Sequence, residues 1–347
     1  MRKRLKIDQF KPFLQELQKQ ATLIAPVKTE TNEREFMVVQ DNTNVALEGF
    51  NPLRSPKEFI FPQMEKMFEY HIQKDGKATI KESIQKEPQI ILGVRPCDLH
   101  AISYMQEFYS STHEDPYILE KLDSTVIIGW ACQDPMNTCF CTSVGDSPVD
   151  TKGADIMMAK TDQFYLIEVL TAKGKKVFEA VESLLDESLA EDDEIYPMIR
   201  RNTESKIREK VDLLSVKGRI GSVYSSSFWK TYSDTCIACG SCTFNCPTCT
   251  CFDTSDSLDT CQDGCRYRTW DTCQNYAFTL HASGHNPRAT RLHRLRQRVM
   301  HKFHYSVEQL GLFSCTGCGR CTRSCPVRID MVSIIKDIKE AVDHGEK

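Results

Sequence analysis

The sequence predicts an N-terminal domain of mixed α/β or α+β class over residues 1–222 and an all-helical domain over residues 223–347. Two buried-strand runs separated by a helix-like stretch predict the first domain. Helical periodicity around two cysteine-rich motifs predicts the second. At 347 residues the chain is long enough for two domains with buried cores.

The first elements are short and come in quick succession. Residues 8–20 place their apolar side chains on one helical face and predict an amphipathic helix. The apolar runs 22–27 and 36–39 predict strands. Pro62, within residues 57–70, predicts the start of a second helix, because proline fits the first helical turn.

A βαβ unit follows. Residues 89–94 and 125–130 are continuous apolar runs of the buried-strand type, and a helix-like stretch with Asp98 as its predicted N-cap separates them. We therefore expect two parallel strands. Functional groups in such sheets gather beyond the carboxyl ends of the strands, where Cys97 and Cys132 lie.

The remaining segments complete the predicted order. Residues 155–170 predict a pair of strands, and residues 175–214 a charged helical region. A linker rich in Ser and Gly covers 215–230. Residues 290–304 and 329–343 have helical apolar faces and predict two helices of the second domain.

Two copies of one cysteine motif identify the chemistry of the second domain. The first copy comprises Cys236, Cys239, Cys242 and Cys246, followed by Pro247. The second comprises Cys315, Cys318, Cys321 and Cys325, followed by Pro326. This is the bacterial-ferredoxin run, in which three cysteines bind one 4Fe–4S cluster and the fourth binds the other. A zinc ribbon, the alternative, has paired rather than triple cysteines.

The motifs therefore predict an all-helical dicluster ferredoxin domain with exchanged fourth ligands. We expect one cluster to be bound by Cys236, Cys239, Cys242 and Cys325. We expect the other to be bound by Cys315, Cys318, Cys321 and Cys246.

A further cysteine group lies in the N-terminal domain. Its members follow the two central strands: Cys97, Cys132, Cys139 and Cys141. They could bind a third 4Fe–4S cluster or zinc, or they could be ordinary buried thiols. The residues alone leave these interpretations open.

Five cysteines remain without an assignment: Cys249, Cys251, Cys261, Cys265 and Cys273. The first two follow the first motif directly. They could help to bind a fourth cluster, but burial as small side chains beside the first cluster is the simpler interpretation.

Charge excludes one class of function and leaves one segment open. The net charge is −4, and the basic segment 288–304 has no aromatic stacking platform, so a nucleic-acid function is disfavoured. The segment could be a solvated helix, a docking face for an acidic partner, or compensation for anionic clusters.

The sequence also predicts a cytoplasmic protein without a membrane span. Its start has no apolar signal region, and no window reaches the length needed to cross a bilayer. The 17 cysteines have metal-type spacing, which favours a reducing compartment over a disulfide framework.

Several longer motifs resemble one family. They are Cys-Pro-Thr-Cys-Thr-Cys-Phe-Asp at 246–253, Arg-x-Trp-Asp-Thr-Cys at 268–273, Gly-His-Asn-Pro-Arg at 284–288, His-Lys-Phe-His-Tyr at 301–305 and Gly-Val-Arg-Pro-Cys-Asp-Leu-His at 93–100. The chain is similar in these to the beta, iron–sulfur subunit of cytosolic sulfhydrogenases. The same family group includes the corresponding subunit of anaerobic sulfite reductase.

The resemblance implies an electron-transfer subunit between a flavin subunit that exchanges electrons with a nicotinamide and a catalytic metal subunit. It also favours the third 4Fe–4S cluster. The expected partners are a flavin/2Fe–2S diaphorase-type subunit, which carries FAD and NAD(P), and a terminal reductase or hydrogenase subunit. The chain itself has no GxGxxG after a strand, no P-loop and no Ser/His/Asp constellation.

Two alternatives to a sulfhydrogenase relay stay open at this point. One is the corresponding subunit of an anaerobic sulfite reductase. The other is a reductase that uses its own N-terminal cysteine site for catalysis, although four cysteines leave no open ligand position. We assign no catalytic residue and expect an electron carrier.

Overall fold

The computed structural model describes residues 1–40 and 44–345. Within these residues the strands are β1 (Arg2–Lys6), β2 (Thr22–Lys28), β3 (Arg34–Val38), β4 (Met64–Ile72), β5 (Ala78–Glu82), β6 (Gln89–Val94), β7 (Thr125–Trp130), β8 (Ile156–Lys160), β9 (Phe164–Val169), β10 (Leu185–Glu187), β11 (Phe252–Leu258) and β12 (Asp263–Trp270). The α-helices are α1 (Phe10–Gln20), α2 (Pro96–Ser111), α3 (Pro116–Asp123), α4 (Ala172–Glu179), α5 (Ile195–Lys206), α6 (Trp229–Thr235), α7 (Ser241–Phe244), α8 (Arg291–Met300), α9 (Ser306–Leu310), α10 (Arg320–Arg323) and α11 (Met331–His344). No helix in these described ranges has the length and apolar character needed to cross a membrane.

The larger sheet has eight strands in the order β10-β1-β9-β8-β7-β6-β2-β3. Its centre is parallel, because β2 pairs with β6, β6 with β7, and β7 with β8 in the same direction. The outer pairs are antiparallel. The mixed α/β class and the parallel βαβ unit predicted from the sequence are therefore confirmed.

Both faces of this sheet are covered by apolar side chains, which explains the continuous apolar runs of its central strands. Every residue of β7 is buried. One face packs on α2 and α3 through a cluster that includes Leu99 and Ile118. The other face packs on α1 and α4 through Phe13 and Phe178.

The start of α2 differs from the prediction. The N-cap position is Arg95 with Pro96 in the first turn, rather than Asp98. The Asp98 carboxylate instead forms a buried ion pair with Arg320, about two hundred residues later in the chain. A distant cation therefore took the side chain that local capping rules would have used.

A smaller antiparallel sheet has the order β11-β12-β4-β5. It corrects the prediction of a helix over 57–70, where only the short 3-10 turn Pro56–Phe59 is helical and β4 follows. The register pairs Glu65 of β4 with Arg268 of β12. Their side chains form a buried ion pair at 2.6 Å, so long-range pairing overrides the local helical pattern.

The all-helical character predicted for residues 223–347 is not confirmed, because β11 and β12 lie in this range. They escaped the sequence analysis because β11 is exposed along its whole length and β12 buries an arginine rather than an apolar face. The segment 215–230, predicted as a linker, packs into the core through Val216, Ile220 and Trp229.

The helices predicted over 290–304 and 329–343 are present as α8 and α11. A π-helical turn, His301–Tyr305, continues α8 and leads directly into α9. The charged region 175–214 is helical only in part: α4 ends early, and β10 precedes α5.

Candidate metal centres

The four N-terminal cysteines surround one cavity, which we call the upstream cavity. Cys97 lies one residue into α2, just beyond the carboxyl end of β6, and Cys132 follows β7. The loop after Cys132 returns Cys139 and Cys141 to the same cavity. Adjacent parallel strands end at one edge of the sheet, so the topology brings these thiols together.

A second cavity, the downstream cavity, is lined by the three leading cysteines of the first ferredoxin motif together with Cys325 of the second. The exchange of the fourth cysteine predicted from the motif is therefore present in the geometry. Cys321 also lines this cavity. Cys239 is exposed, and its neighbour Ile237 is 55% exposed, so the downstream cavity lies at the protein surface.

The third group, the middle group, lies between the two cavities and combines Cys315, Cys318, Cys321 and Cys246. Cys318 is close enough to Cys246 and Cys321 for their charges to act on it, and Cys315 is similarly close to Cys318 and Cys321. Gly317 and Gly319 shape this loop with φ angles of 61° and 70°.

The upstream cavity and the middle group are joined by direct contacts. A Cβ on Gly317 would lie 2.5 Å from Cys141 Cα, so only glycine allows this close approach of the two loops. Phe140 N donates a 2.8 Å hydrogen bond to Gly317 O. Asn51 Nδ2 lies 3.9 Å from Cys97 Sγ and donates to Cys318 O at 3.2 Å. Cys318 itself lines the upstream cavity.

The polar atoms around these cysteines test whether the sites fit iron–sulfur clusters. Among the described residues, four buried hydroxyls without a hydrogen-bond partner are each next in sequence to a predicted ligand: Thr138, Thr142, Thr316 and Ser324. Hydroxyl and amide donors to cluster sulfur are a known feature of such sites. Arg298, which lines the downstream cavity, likewise has a buried Nε without a partner. The donor sets fit 4Fe–4S clusters.

Burial makes the thiolate forms costly unless positive charge compensates them. It raises the pKa of Cys139 and Cys242 to about 12, and it raises the pKa of Cys97, Cys141 and Cys315 as well. Metal coordination deprotonates a thiol outright. Within residues 1–40 and 44–345, no three Cys, His, Asp or Glu side chains converge on a single-ion site. A cubane does not require convergence, because each thiolate binds a different iron.

Buried cations near the middle group were not singled out by the sequence analysis. Lys57, Arg298 and Lys302 are all at most 4% exposed. Lys57 Nζ donates to Cys246 O and Cys249 O, and Arg298 Nη2 donates to Cys242 O. Burial alone would lower the pKa of Lys302, but the thiolates of Cys246 and Cys249 favour its charged form and raise that pKa.

These contacts decide among the three interpretations of segment 288–304. Arg294, Arg298 and Lys302 lie at four-residue intervals and are all buried, so one face of the segment turns inward. That arrangement favours charge compensation for the cysteine groups over a wholly solvated helix. The signal in the sequence was the absence of acidic residues beside cations at helical spacing.

The five unassigned cysteines fall into two sets. Cys249, Cys251 and Cys273 lie near the middle group, where Cys249 hydrogen-bonds to Cys246 and Cys251 to Cys273. Cys261 is exposed and Cys265 is buried in β12, both in the smaller sheet. The Arg-x-Trp motif positions this region, since Trp270 Nε1 donates to Phe61 O and its ring lies under Lys57.

Comparison with known proteins agrees with the cysteine geometry. Residues 235–329 match the family described as a 4Fe-4S dicluster domain. Over 340 residues the chain is 28% identical to Sulfhydrogenase 2 subunit beta of Pyrococcus furiosus, and the match covers 98% of both chains. No solved structure matches the chain. The resemblance to a sulfhydrogenase beta subunit predicted from the motifs is confirmed, and the chain is an iron–sulfur protein of 4Fe–4S type.

Proposed function

We propose that this chain is the iron–sulfur electron-transfer subunit of a multi-subunit, sulfhydrogenase-type redox complex. It relays electrons between a partner linked to flavin and NAD(P)H and a terminal catalytic subunit. The observation that carries the proposal is the row of three adjoining cysteine groups. Cys318 belongs to the middle group and lines the upstream cavity, while Cys321 belongs to the same group and lines the downstream cavity.

The proposed ligands follow this row. The cluster of the upstream cavity is held by Cys97, Cys132, Cys139 and Cys141. The middle cluster is held by Cys315, Cys318, Cys321 and Cys246, and the cluster of the downstream cavity by Cys236, Cys239, Cys242 and Cys325. Each 4Fe–4S cluster, when bound, accepts and donates one electron. In this proposal, residues 1–222 form the domain of the upstream cavity and residues 223–347 the ferredoxin domain.

The two ends of the row reach the surface, as a relay between partners requires. At the downstream cavity, Cys239 and Ile237 are exposed. At the upstream cavity, Asp134 lines the cavity and is exposed. One end would face the flavin partner, which carries FAD and binds NAD(P), and the other would face the terminal catalytic partner, with the whole complex in the cytoplasm.

The protein's own residues supply insulation and charge balance for this relay. Arg95 is 3% exposed, donates to the carbonyls of Leu47 and Ala131, and lies close to the Cys97 and Cys132 thiols. Arg298 and Lys302 do the same for the other two groups. Buried positive charge favours an anionic centre over its less charged form.

Anaerobic reduction of the purified full chain tests the proposal. Titration with dithionite should deliver about three electrons, one for each cluster. The reduced chain should pass them to a viologen-type acceptor and should not oxidise NAD(P)H or hydrogen unaided. Turnover of NAD(P)H, hydrogen, sulfite or sulfur by the chain alone would contradict the relay. The matched variant Cys261→Ser, in the smaller sheet, should behave like the unaltered chain.

A further inference from the structure

Thr248 stands at a junction between a predicted cluster ligand and a buried cation. It is the second residue after Cys246, and it is 3% exposed. Its hydroxyl lies 3.3 Å from Cys246 Sγ and also contacts Ser314 O. Lys302 Nζ donates to the same hydroxyl at 2.7 Å and to Ser314 O at 3.0 Å.

Counting protons at this junction limits what each group can do. The threonine hydroxyl has one proton and two acceptors within reach, Cys246 Sγ and Ser314 O. A metal-bound thiolate has no proton, so it can only accept. Ser314 O keeps a donor in Lys302 when the hydroxyl turns to the sulfur. Lys302 therefore frees the Thr248 proton for Cys246 without leaving the buried carbonyl unpaired.

We propose that Lys302 and Thr248 together raise the reduction potential of the middle cluster, which makes it the preferred resting place for an electron in the row. This inference rests on the proposed function. One electron arrives from a neighbouring cluster, no bond breaks and no proton leaves the protein. The extra negative charge strengthens the hydrogen bond from Thr248 to Cys246 and the attraction to the Lys302 ammonium.

The second ferredoxin motif provides an internal comparison. Cys246-Pro247-Thr248 corresponds to Cys325-Pro326-Val327, and valine has no hydroxyl. Val327 lines the downstream cavity, where the fourth ligand is Cys325. The two motifs share their cysteine spacing and differ in this donor, so the asymmetry lies in the ligand environment rather than in the ligand set.

The backbone around Lys302 is also unusual. Lys302 lies in the π-helical turn His301–Tyr305, between α8 and α9. Such turns are rare and occur frequently at functional sites. Ser314 N donates to Lys302 O at 3.0 Å, so the turn and the loop before Cys315 hold each other in register.

Potentiometric titration followed by electron paramagnetic resonance tests the inference on the full chain. Thr248→Val removes the hydroxyl at similar volume, and Thr248→Ser retains it. We expect Thr248→Val to lower the equilibrium constant for one-electron reduction of one cluster at least tenfold, about 59 mV. We expect Thr248→Ser to stay near the unaltered value. Lys302→Met should lower the potential of the same cluster further.

Equal potentials for Thr248→Val and Thr248→Ser would overturn the inference, as would an equal shift of every cluster. If Lys302→Met fails to fold, the threonine pair still decides. Val327→Ala, at the equivalent position of the other motif, should leave the potential of the middle cluster unaltered. Absence of 4Fe–4S signals from the unaltered protein would instead contradict the proposed function, so the two failures are distinguishable.

Discussion

The ion pair between Asp98 and Arg320 should be among the most costly in the protein to break. Arg320 Nη1 and Nη2 donate to the two Asp98 oxygens at 2.6 and 2.8 Å, and both side chains are at most 1% exposed. Asp98 follows Cys97 of the upstream cavity, and Arg320 lies between Cys318 and Cys321 of the middle group. The pair therefore fastens two predicted cluster loops to each other.

Asp98→Asn leaves the Arg320 guanidinium buried without its counter-ion. Removing one partner of a buried pair costs about 3–5 kcal/mol. With an unfolding entropy of about 2.1 cal/mol/K per residue, the whole chain has about 0.7 kcal/mol/K, so the melting temperature should fall by about 4–7 °C. Anaerobic thermal and urea unfolding of the cluster-loaded protein measures both quantities.

The double variant Asp98→Asn/Arg320→Met is the control for this reasoning. It removes the uncompensated charge and should recover part of the stability lost by Asp98→Asn alone. If Asp98→Asn unfolds within about 1 kcal/mol of the unaltered protein, the pair does not fasten the two loops.

Three further predictions concern the site and the core. Cys97→Ser should remove about four irons per chain and leave the signals of the other two clusters, whereas Cys261→Ser should keep the full iron content; an unchanged count for Cys97→Ser would exclude a cluster in the upstream cavity. Gly317→Ala should destabilise the protein more than Gly311→Ala, because both have positive φ angles, 61° and 69°, but only Gly317 faces a neighbouring backbone; equal costs would mean that the contact with Cys141 is unimportant. Burial lowers the pKa of His301 to about 4, so the unfolded chain binds the extra proton and stability should fall as pH drops from about 6.5 towards 4, by up to about 1.4 kcal/mol per pH unit. His301→Gln should flatten this pH dependence in urea unfolding, and an unchanged slope would assign it to another group.

The sequence predicted best where a local pattern and its tertiary setting agree. The apolar runs of β6 and β7 could only be buried strands, and their parallel pairing placed Cys97 and Cys132 at one edge. The cysteine spacing likewise indicated which thiols share a cavity, including the exchange of Cys325.

The prediction failed where partners distant in sequence determine the local structure. β4 is a strand because Glu65 meets Arg268, which lies about two hundred residues away and carries no periodic signal. Asp98 is an ion-pair partner rather than a helix cap for the same reason. No spacing rule could place Lys57 beside Cys246, since its role arises from a loop and a turn that meet only in the folded chain.

The most direct test of the three-cluster row is iron and acid-labile sulfide analysis of the anaerobically purified chain, with zinc measured in the same sample. Three 4Fe–4S clusters predict about 12 irons and about 12 sulfides per chain, with little zinc. About 8 irons would leave the upstream cavity without a cluster, and stoichiometric zinc in place of iron would contradict the electron-transfer function as a whole.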